Sequence, residues 1–377
     1  MQTSDESQRQ QRLSGVRRLV VKIGSSSLTG ADGQLHRPTI RRLVHDLVEL
    51  REQGLEIILV SSGAVAAGMG RLGMTQRPRS IADLQAVAAV GQNLLVHTYE
   101  SLFRRHDVPV GQVLLTAGDI LDDRQRYNHV RNTFRQLFEL GVVPVINEND
   151  SVAVAELRAT LGDNDMLAAY VANLVQAQLL VILSDVDGVY RRYVQDKGED
   201  LLVEVEPDQE LRLQGGGNRL GRGGIETKLR AAHLLSACGE MTIVAHARKH
   251  RLPDLLTGNH LGTLFLPRSK RMGSRKRWIG FASPARGTIV VDEGAVKAIV
   301  RLGRSLLPAG VTDCEGTFRV GDVIRVVDGQ GREIGRGLSR YGSDDLDRIR
   351  GLRSSAVEKA LGHKAQEVIH RDDLVLT

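Results

Sequence analysis

Cysteine and aromatic side chains are scarce in this chain, and each scarcity excludes something. The two cysteines, Cys238 and Cys314, are too few and too far apart for a disulfide framework or a thiolate metal cluster, so a reducing compartment suits them. Aromatic residues make up only 3%. That argues against gripping single-stranded nucleic acid by stacking bases on rings, while leaving phosphate binding untouched. No run approaches the roughly 18 uninterrupted apolar residues of a spanning helix. The polar start, MQTSDESQRQQRLSG, leads into no apolar stretch, and an unexported, cytoplasmic protein with no membrane partner is expected.

What is present is globular in character, with 41% hydrophobic and 25% charged residues. At 377 residues the chain is too long for one typical core and fits two or, less easily, three domains at roughly 150 residues each. A net charge of +6 points to anionic partners, and the 40 glycines point to many tight turns and close backbone approaches.

From Arg18 onward, short β-branched runs alternate with amphipathic stretches. LVVKI ends at Gly24; a helical face of Ile40, Leu43, Val44, Leu47 and Val48 begins near Pro38 and ends at Gly54. LEIILV follows, then a long helix over 81–103 capped by Ser80 with Asp83, the strand VLL (113–115), a helix over 128–140 and the strand VVPVI from Val142. A helix after Asn164, the strand LLVIL, a helix after Thr227 and the strand MTIVA complete the series. Such alternation predicts an α/β fold, an open and mainly parallel sheet sandwiched by helices. After Leu266 comes the basic stretch PRSKRMGSRKRW, and beyond it short β-type runs split by glycines predict a small β-barrel-like module. The expected organisation is a polar N-terminal extension (1–17), an α/β domain (18–266), a linker (267–284) and the small module with its tail (285–377).

In open parallel sheets ligands bind beyond the carboxyl ends of the strands. Those ends are polar and glycine-rich here. Lys22 precedes Gly24 and Ser25 to Ser27, a turn whose amides and ammonium could close on phosphate oxygens, although taken alone a solvated strand-end lysine is the plainer reading. Ser61 to Ala64 could present hydroxyls and amides to a carboxylate, and an ordinary strand-to-helix turn explains it about as well. Asn147 to Ser151 and then Gly162 to Asp165 flank one strand–helix unit, where two clusters of turn-forming residues are harder to dismiss than one. Ser184 to Gly188 follow LLVIL, and a loop of glycines runs through Arg222, Gly223 and Gly224 to Lys228. A lysine in the first turn of a helix is disfavoured by the dipole unless an anion joins it.

Familiar alternatives fail on the same residues. Lys228 follows Thr227 and precedes Leu229, which is no P-loop; KIGSSSLTG lacks the three-glycine dinucleotide fingerprint. His246 and His250 have Ala247 where a zinc protease motif needs Glu, and Asp185, Asp187 and Gly188 are too closely spaced for a calcium loop, so no metal ligands are assigned.

In order, VVKIGSSSLT, VSSGAVAAG, AAVGQ, PVINENDSVA, GDND, LSDVDGVY and GRGGIETK resemble the amino acid kinase family nearly end to end. INEND followed by GDND, with KRWIGFASPARGTIVVDEGA, resembles its glutamate-phosphorylating branch, which carries a C-terminal PUA domain. The resemblance implies transfer of the ATP γ-phosphoryl group to the side-chain carboxylate of L-glutamate, with Mg²⁺ bridging the phosphates, as the first step of proline synthesis. It implies catalytic roles for Lys22, Lys228 and Asp165, and glutamate binding by Ser62, Asp150 and Asn164 with Asp163 close by. It places the nucleotide on Lys22, Gly24, Ser184, Asp185 and the loop Arg222, Gly223, Gly224, Ile225, Glu226, Thr227 and Lys228. Arg222 stands where related enzymes can have a hydroxyl residue. Proline as feedback inhibitor, a homo-oligomer and a downstream glutamyl phosphate reductase are further expectations of the family. PUA domains elsewhere bind RNA, but with Phe318 and Tyr341 nearly alone as aromatics RNA is an unlikely partner here, ranked below catalysis. Another carboxylate kinase of the same fold, for acetylglutamate or aspartate, is the alternative within the enzyme class.

Overall fold

Strand and helix fall where hydrophobic periodicity puts them, with additions that periodicity does not show. The computed structural model describes residues 2–30, 33–121, 124–152, 164–194, 197–207, 209, 211, 224–268, 276, 279–280 and 285–376. They form two compact units, one of residues 1–119 and 125–271, the other of 120–124 and 272–377.

The chain forms α1 (Gln2–Ser14), β1 (Arg18–Ile23), α2 (Ser25–Leu28), α3 (Arg37–Glu52), β2 (Glu56–Ser61), α4 (Ala64–Arg71), α5 (Ile81–Phe103), β3 (Val110–Leu115), α6 (Ala117–Leu121), α7 (Arg124–Glu139) and β4 (Val143–Glu148). There follow α8 (Asn164–Val175), β5 (Leu179–Ser184), β6 (Tyr190–Val194), β7 (Lys197–Leu201), β8 (Glu204–Val205), α9 (Gly224–Cys238), β9 (Met241–His246), α10 (Leu252–Leu255) and β10 (Thr263–Phe265). The predicted limits of α5 agree with the observed ones because its N-cap is explicit: the Ser80 hydroxyl accepts the Asp83 amide at 3.1 Å.

The sheet of the first unit has the order β3-β4-β2-β1-β5-β9-β10-β8. It is parallel from β3 through β9, and β10 runs antiparallel to β9. The chain leaves β1 toward β2 and returns on the other side as β5, so the strand order reverses between β1 and β5. That reversal opens a crevice at their carboxyl ends. On β1, Leu19, Val21 and Ile23 join Ile40, Leu43 and Leu47 of α3 and Leu95, Tyr99 and Phe103 of α5 in one apolar cluster. Side chains alternate along a strand, so Val20 and Lys22 face the opposite side, where α8 lies.

Helices α4 and α5 touch backbone to backbone. A Cβ on Gly68 would stand 1.9 Å from the Val87 carbonyl oxygen, and one on Gly91 1.8 Å from that of Ala64. Only glycine permits this approach.

Residues 1–17, read as a polar extension, include a helix built into the first unit. Arg9 is fully buried and donates to the carbonyls of Leu261 at 2.7 Å and Val203 at 3.4 Å, while Leu13 and Val16 join the large apolar cluster. The hairpin β6–β7 is also outside the sequence reading. Its base is clasped by the buried Thr263 hydroxyl, which accepts from the Val189 amide at 2.8 Å and donates to the Leu202 carbonyl at 2.6 Å.

The second unit has β11 (Gly287–Val291), α11 (Glu293–Val296), β12 (Val311–Glu315), β13 (Val323–Val327), β14 (Glu333–Leu338), α12 (Ser343–Ile349), α13 (Ser354–Leu361) and β15 (Leu374–Leu376). Its sheet is mixed, in the order β12-β11-β13-β14-β15, with β11 and β13 parallel. Ile289, Val291, Ile324 and Val326 pack against Leu346 and Ile349 of α12 and Val357 of α13. Phe318 and Tyr341 belong to this core, and the Tyr341 hydroxyl accepts the Gln366 amide at 2.8 Å. Neither ring is available for stacking a base.

Candidate active site

The carboxyl end of β1 meets the first turns of α8 and α9. Lys22 is in register with Val60 of β2 and Ile182 of β5, which fixes it in the middle of the sheet with its side chain toward α8. Its ammonium lies 2.6 Å from Asp165 Oδ1, and the Lys228 ammonium lies 2.9 Å from Asp165 Oδ2. Lys22 is 1% exposed, Lys228 5% and Asp165 0%. Burying a charge costs several kcal/mol even when it is paired. Two buried ammonium groups drawn to one carboxylate are therefore a poor device for stability and a good one for holding an anion. The N-termini of α8 and α9 meet at the same place and add partial positive charge.

The end of the glycine-rich loop is tied into this centre. Thr227 Oγ1 donates to Asp165 Oδ2 at 3.1 Å, and Lys228 Nζ donates to the Gly224 carbonyl at 2.9 Å. The anion that the helix dipole demands beside Lys228 is thus, among the described residues, a protein carboxylate. Thr227 faces Asp165, whereas Glu226 is exposed and Ile225 half-buried. Arg222 and Gly223 lie outside the described residues, as does Asp163.

Gly24 is informative because nothing among the described residues requires a glycine there. Its backbone is extended, with φ −78° and ψ 156°, and an added Cβ would make only ordinary contacts, 3.6 Å from Lys22 Nζ and 3.9 Å from Ser26 Oγ. A methyl group at that point would stand over the lysine ammonium. Gly24 donates its amide to the Leu183 carbonyl at 3.2 Å, which places it beside the end of β5. There Ser184 is buried and its hydroxyl donates to Asp185 at 3.0 Å. Farther out, Lys249 and Tyr190 bind Asp187 at 2.8 and 2.9 Å. Burial raises the Asp187 carboxyl, but these two donors outweigh it and hold it below the usual range.

On the other side of Lys22, the ends of β2 and β4 carry a second constellation. Asn164 Nδ2 shares its two hydrogens among three acceptors, Ser62 Oγ at 2.9 Å, the Ser61 carbonyl at 3.1 Å and Asn147 Oδ1 at 2.9 Å. Asn147 Nδ2 donates in turn to Gln92 Oε1 of α5 at 2.6 Å. Gly63, at φ 107° in the left-handed region, turns the chain from β2 into α4. Asp150 is half-buried at the exit of β4. Burial, reinforced by the nearby Glu148 carboxylate and opposed by Arg77, pushes its carboxyl up to about 6.

The structure therefore brings Lys22, Gly24, Asp165, Thr227 and Lys228 together, sets Ser62 and Asn164 beside them through Asn164's neighbour Asp165, and places Ser184 next to Gly24. Sequence reasoning passed over Gln92 and the fixing role of Asn147. Gln92 lies in AAVGQ, a polar residue one step after the helix-contact glycine, and that position is the one signal that could have exposed it.

The description "Amino acid kinase family" matches residues 17–244, and "PUA domain" matches residues 287–370. The chain is 47% identical over 372 residues to the glutamate 5-kinase of Pseudomonas entomophila, covering 97% of this chain and 99% of that one. It is 44% identical over 365 residues to the glutamate 5-kinase of Caldanaerobacter subterraneus subsp. tengcongensis, covering 95% and 97%. A solved structure of Giardia carbamate kinase matches 67% of this chain and 99% of its own with a TM-score of 0.47 and 14% identity. The family match over more than half the chain and the near full-length relatives show it plainly: the chain belongs to the amino acid kinase family.

Proposed function

We propose that the chain transfers the γ-phosphoryl group of ATP to the side-chain carboxylate of L-glutamate, giving L-glutamyl 5-phosphate in the first step of proline biosynthesis. The observation that carries this reading is the convergence of Lys22 and Lys228 on the two oxygens of Asp165, in a chain similar over nearly its whole length to glutamate 5-kinases. A carboxylate oxygen of glutamate forms a bond to the γ-phosphorus while the bond from that phosphorus to the bridging oxygen breaks, and ADP leaves. The acceptor is already ionised at neutral pH, so no base has to remove a proton from it. What the reaction asks of the protein is positioning and neutralisation of oxygens.

Lys22 and Lys228 hold the transferring phosphoryl group from two sides, and Asp165 orients both ammonium groups. Gly24 leaves room for an oxygen to approach Lys22. Ser184, Asp185 and the segment Arg222 to Lys228 receive the nucleotide. Ser62, Asn164 and Asp150, with Asp163, take the α-ammonium and main carboxylate of glutamate. Mg²⁺ fits as an ion carried on phosphate oxygens and water rather than in a protein cage. Asp165 already has an ammonium on each oxygen. The one group of three metal-capable side chains among the described residues, His45, Asp46 and Glu49, has Asp46 bonded to the Arg251 guanidinium and the Leu252 amide.

Family membership supports proline as an inhibitor at a site overlapping that of glutamate, a homo-oligomer and a cytoplasmic setting. No helix among the described residues is long and apolar enough to cross a membrane. Acyl phosphates hydrolyse readily, which supports a reductase as the next consumer. The deciding experiment is an acceptor panel with ATP and Mg²⁺ in which hydroxylamine traps the acyl phosphate. Glutamate is expected to dominate; equal or faster turnover with aspartate or N-acetylglutamate contradicts the reading.

A further inference from the structure

Three amides, from α5, β4 and α8, form a hydrogen-bonded chain whose direction can be read from one end. The Ser61 carbonyl can only accept, so the Asn164 atom 3.1 Å from it is the Nδ2 donor. The same nitrogen faces Asn147 at 2.9 Å, which requires Asn147 to present its oxygen. Asn147 then presents its nitrogen to Gln92, which accepts through Oε1 at 2.6 Å. Asn164 and Asn147 are 2% and 3% exposed, so neither amide can exchange these partners for water.

One atom is left over. Asn164 Oδ1 is buried and has no hydrogen-bond partner among the described residues. A buried carbonyl oxygen without a donor costs about 1–3 kcal/mol and is retained where a ligand supplies the donor. The first residue of α8 thus turns a fixed acceptor away from Ser61, Ser62 and Asn147, next to the residue that holds both lysines.

We infer that Gln92 is a positioning residue for amine recognition: by accepting from Asn147 it locks the amide chain in the direction that leaves Asn164 Oδ1 free to accept an N–H of the substrate's α-ammonium. The inference rests on the glutamate reading above and deepens it. It assigns preference for a free amino acid to a helix α5 residue separated from the ligand by two side chains. Without an acceptor at position 92, Asn147 loses the contact that orients it, and a turned Asn147 would present a donor to the Asn164 donor. With Gln92 gone, only the Ser61 carbonyl still opposes turning Asn164 to relieve that clash, and a turned Asn164 points Nδ2 at the ammonium and repels it.

The test compares steady-state kinetics of the wild type, Gln92→Leu and Gln92→Glu with glutamate and ATP varied separately. A hydrogen bond to a charged group supports a rise in the glutamate KM of about tenfold or more in Gln92→Leu. The KM for ATP is expected to stay within about twofold and kcat within about threefold. Gln92→Glu keeps an acceptor toward Asn147 and is expected to bring the glutamate KM back to within about threefold of the wild type. A loss that is merely structural would move both KM values and would not be restored by Glu. No turnover of glutamate by the wild type overturns the functional reading and this inference with it. An active wild type with an unchanged glutamate KM in Gln92→Leu, or with no restoration in Gln92→Glu, overturns the amide relay alone. If Gln92→Leu fails to fold, calorimetric binding of glutamate to Gln92→Glu and to Gln92→Met decides between the same outcomes: near wild-type affinity in Glu with about tenfold weaker binding in Met supports the relay, and equal affinities contradict it.

Discussion

Replacing Asp165 by Asn removes one charge and almost no volume, which makes it a clean perturbation of the catalytic centre. Both lysines lose their shared carboxylate, at 2.6 Å for Lys22 and 2.9 Å for Lys228. An asparagine can accept from one ammonium through its oxygen, but it turns an N–H donor toward the other. Breaking a buried ion pair from one side costs about 3–5 kcal/mol, and Thr227, which donates to the same oxygen as Lys228, is disturbed as well. Misplaced cations at a developing negative charge reduce turnover by about 10²–10³-fold. The triphosphate brings negative charge to the same lysines, so ATP should raise the melting temperature of Asp165→Asn more than that of the wild type. Thermal unfolding with and without ATP, together with kcat, reads both effects. A variant with kcat within about threefold of the wild type and an unchanged ATP-induced shift would refute the reasoning.

Two other outcomes follow from the same geometry. Gly24→Ala should fold with stability within about 0.5 kcal/mol of the wild type, because its backbone is extended and the added methyl makes only ordinary contacts; its kcat/KM for ATP should nonetheless fall about tenfold or more, measured by coupled ADP release. Asp150, with its carboxyl pushed up to about 6, holds its proton in the folded protein over a range where the unfolded chain, at about 3.9, has released it. Its contribution to stability is therefore present below about pH 4 and is lost as pH rises through about 6. Glutamate binding runs the other way: ionised Asp150 accepts the α-ammonium, so 1/KM for glutamate should rise with pH through about 6, a limb that Asp150→Asn abolishes in a pH profile of KM.

Much of the α/β unit could be read from periodicity. The face of Ile40, Leu43, Val44, Leu47 and Val48 is buried as spacing predicts, and Lys22 reaches α8 because side chains alternate on β1. Other parts follow from contacts that no local pattern announces. Helix α1 docks through the buried guanidinium of Arg9 on two carbonyls, together with Leu13 in the apolar cluster. The hairpin β6–β7 is closed by Thr263, far along the chain, and β10 is only three residues long. Lys22 and Asp165 meet because the strand order reverses beside β1. The basic balance proves to be a local matter: the six lysines and arginines between Arg268 and Arg277, with no acidic residue among them, equal the whole net charge of +6. The cations at the site are offset, at least in part, by Asp165, so the composition alone does not register them.

The central claim is that this lysine pair moves a phosphoryl group onto the side chain of glutamate. It is tested most directly by incubating purified protein with γ-labelled ATP, Mg²⁺, glutamate and hydroxylamine, and following γ-glutamyl hydroxamate alongside released phosphate. Stoichiometric, glutamate-dependent hydroxamate from the wild type, reduced by about two orders of magnitude or more in a folded Lys228→Ala, is the predicted result. Hydroxamate formed at near-normal rate by Lys228→Ala, or none formed by the wild type, would contradict it.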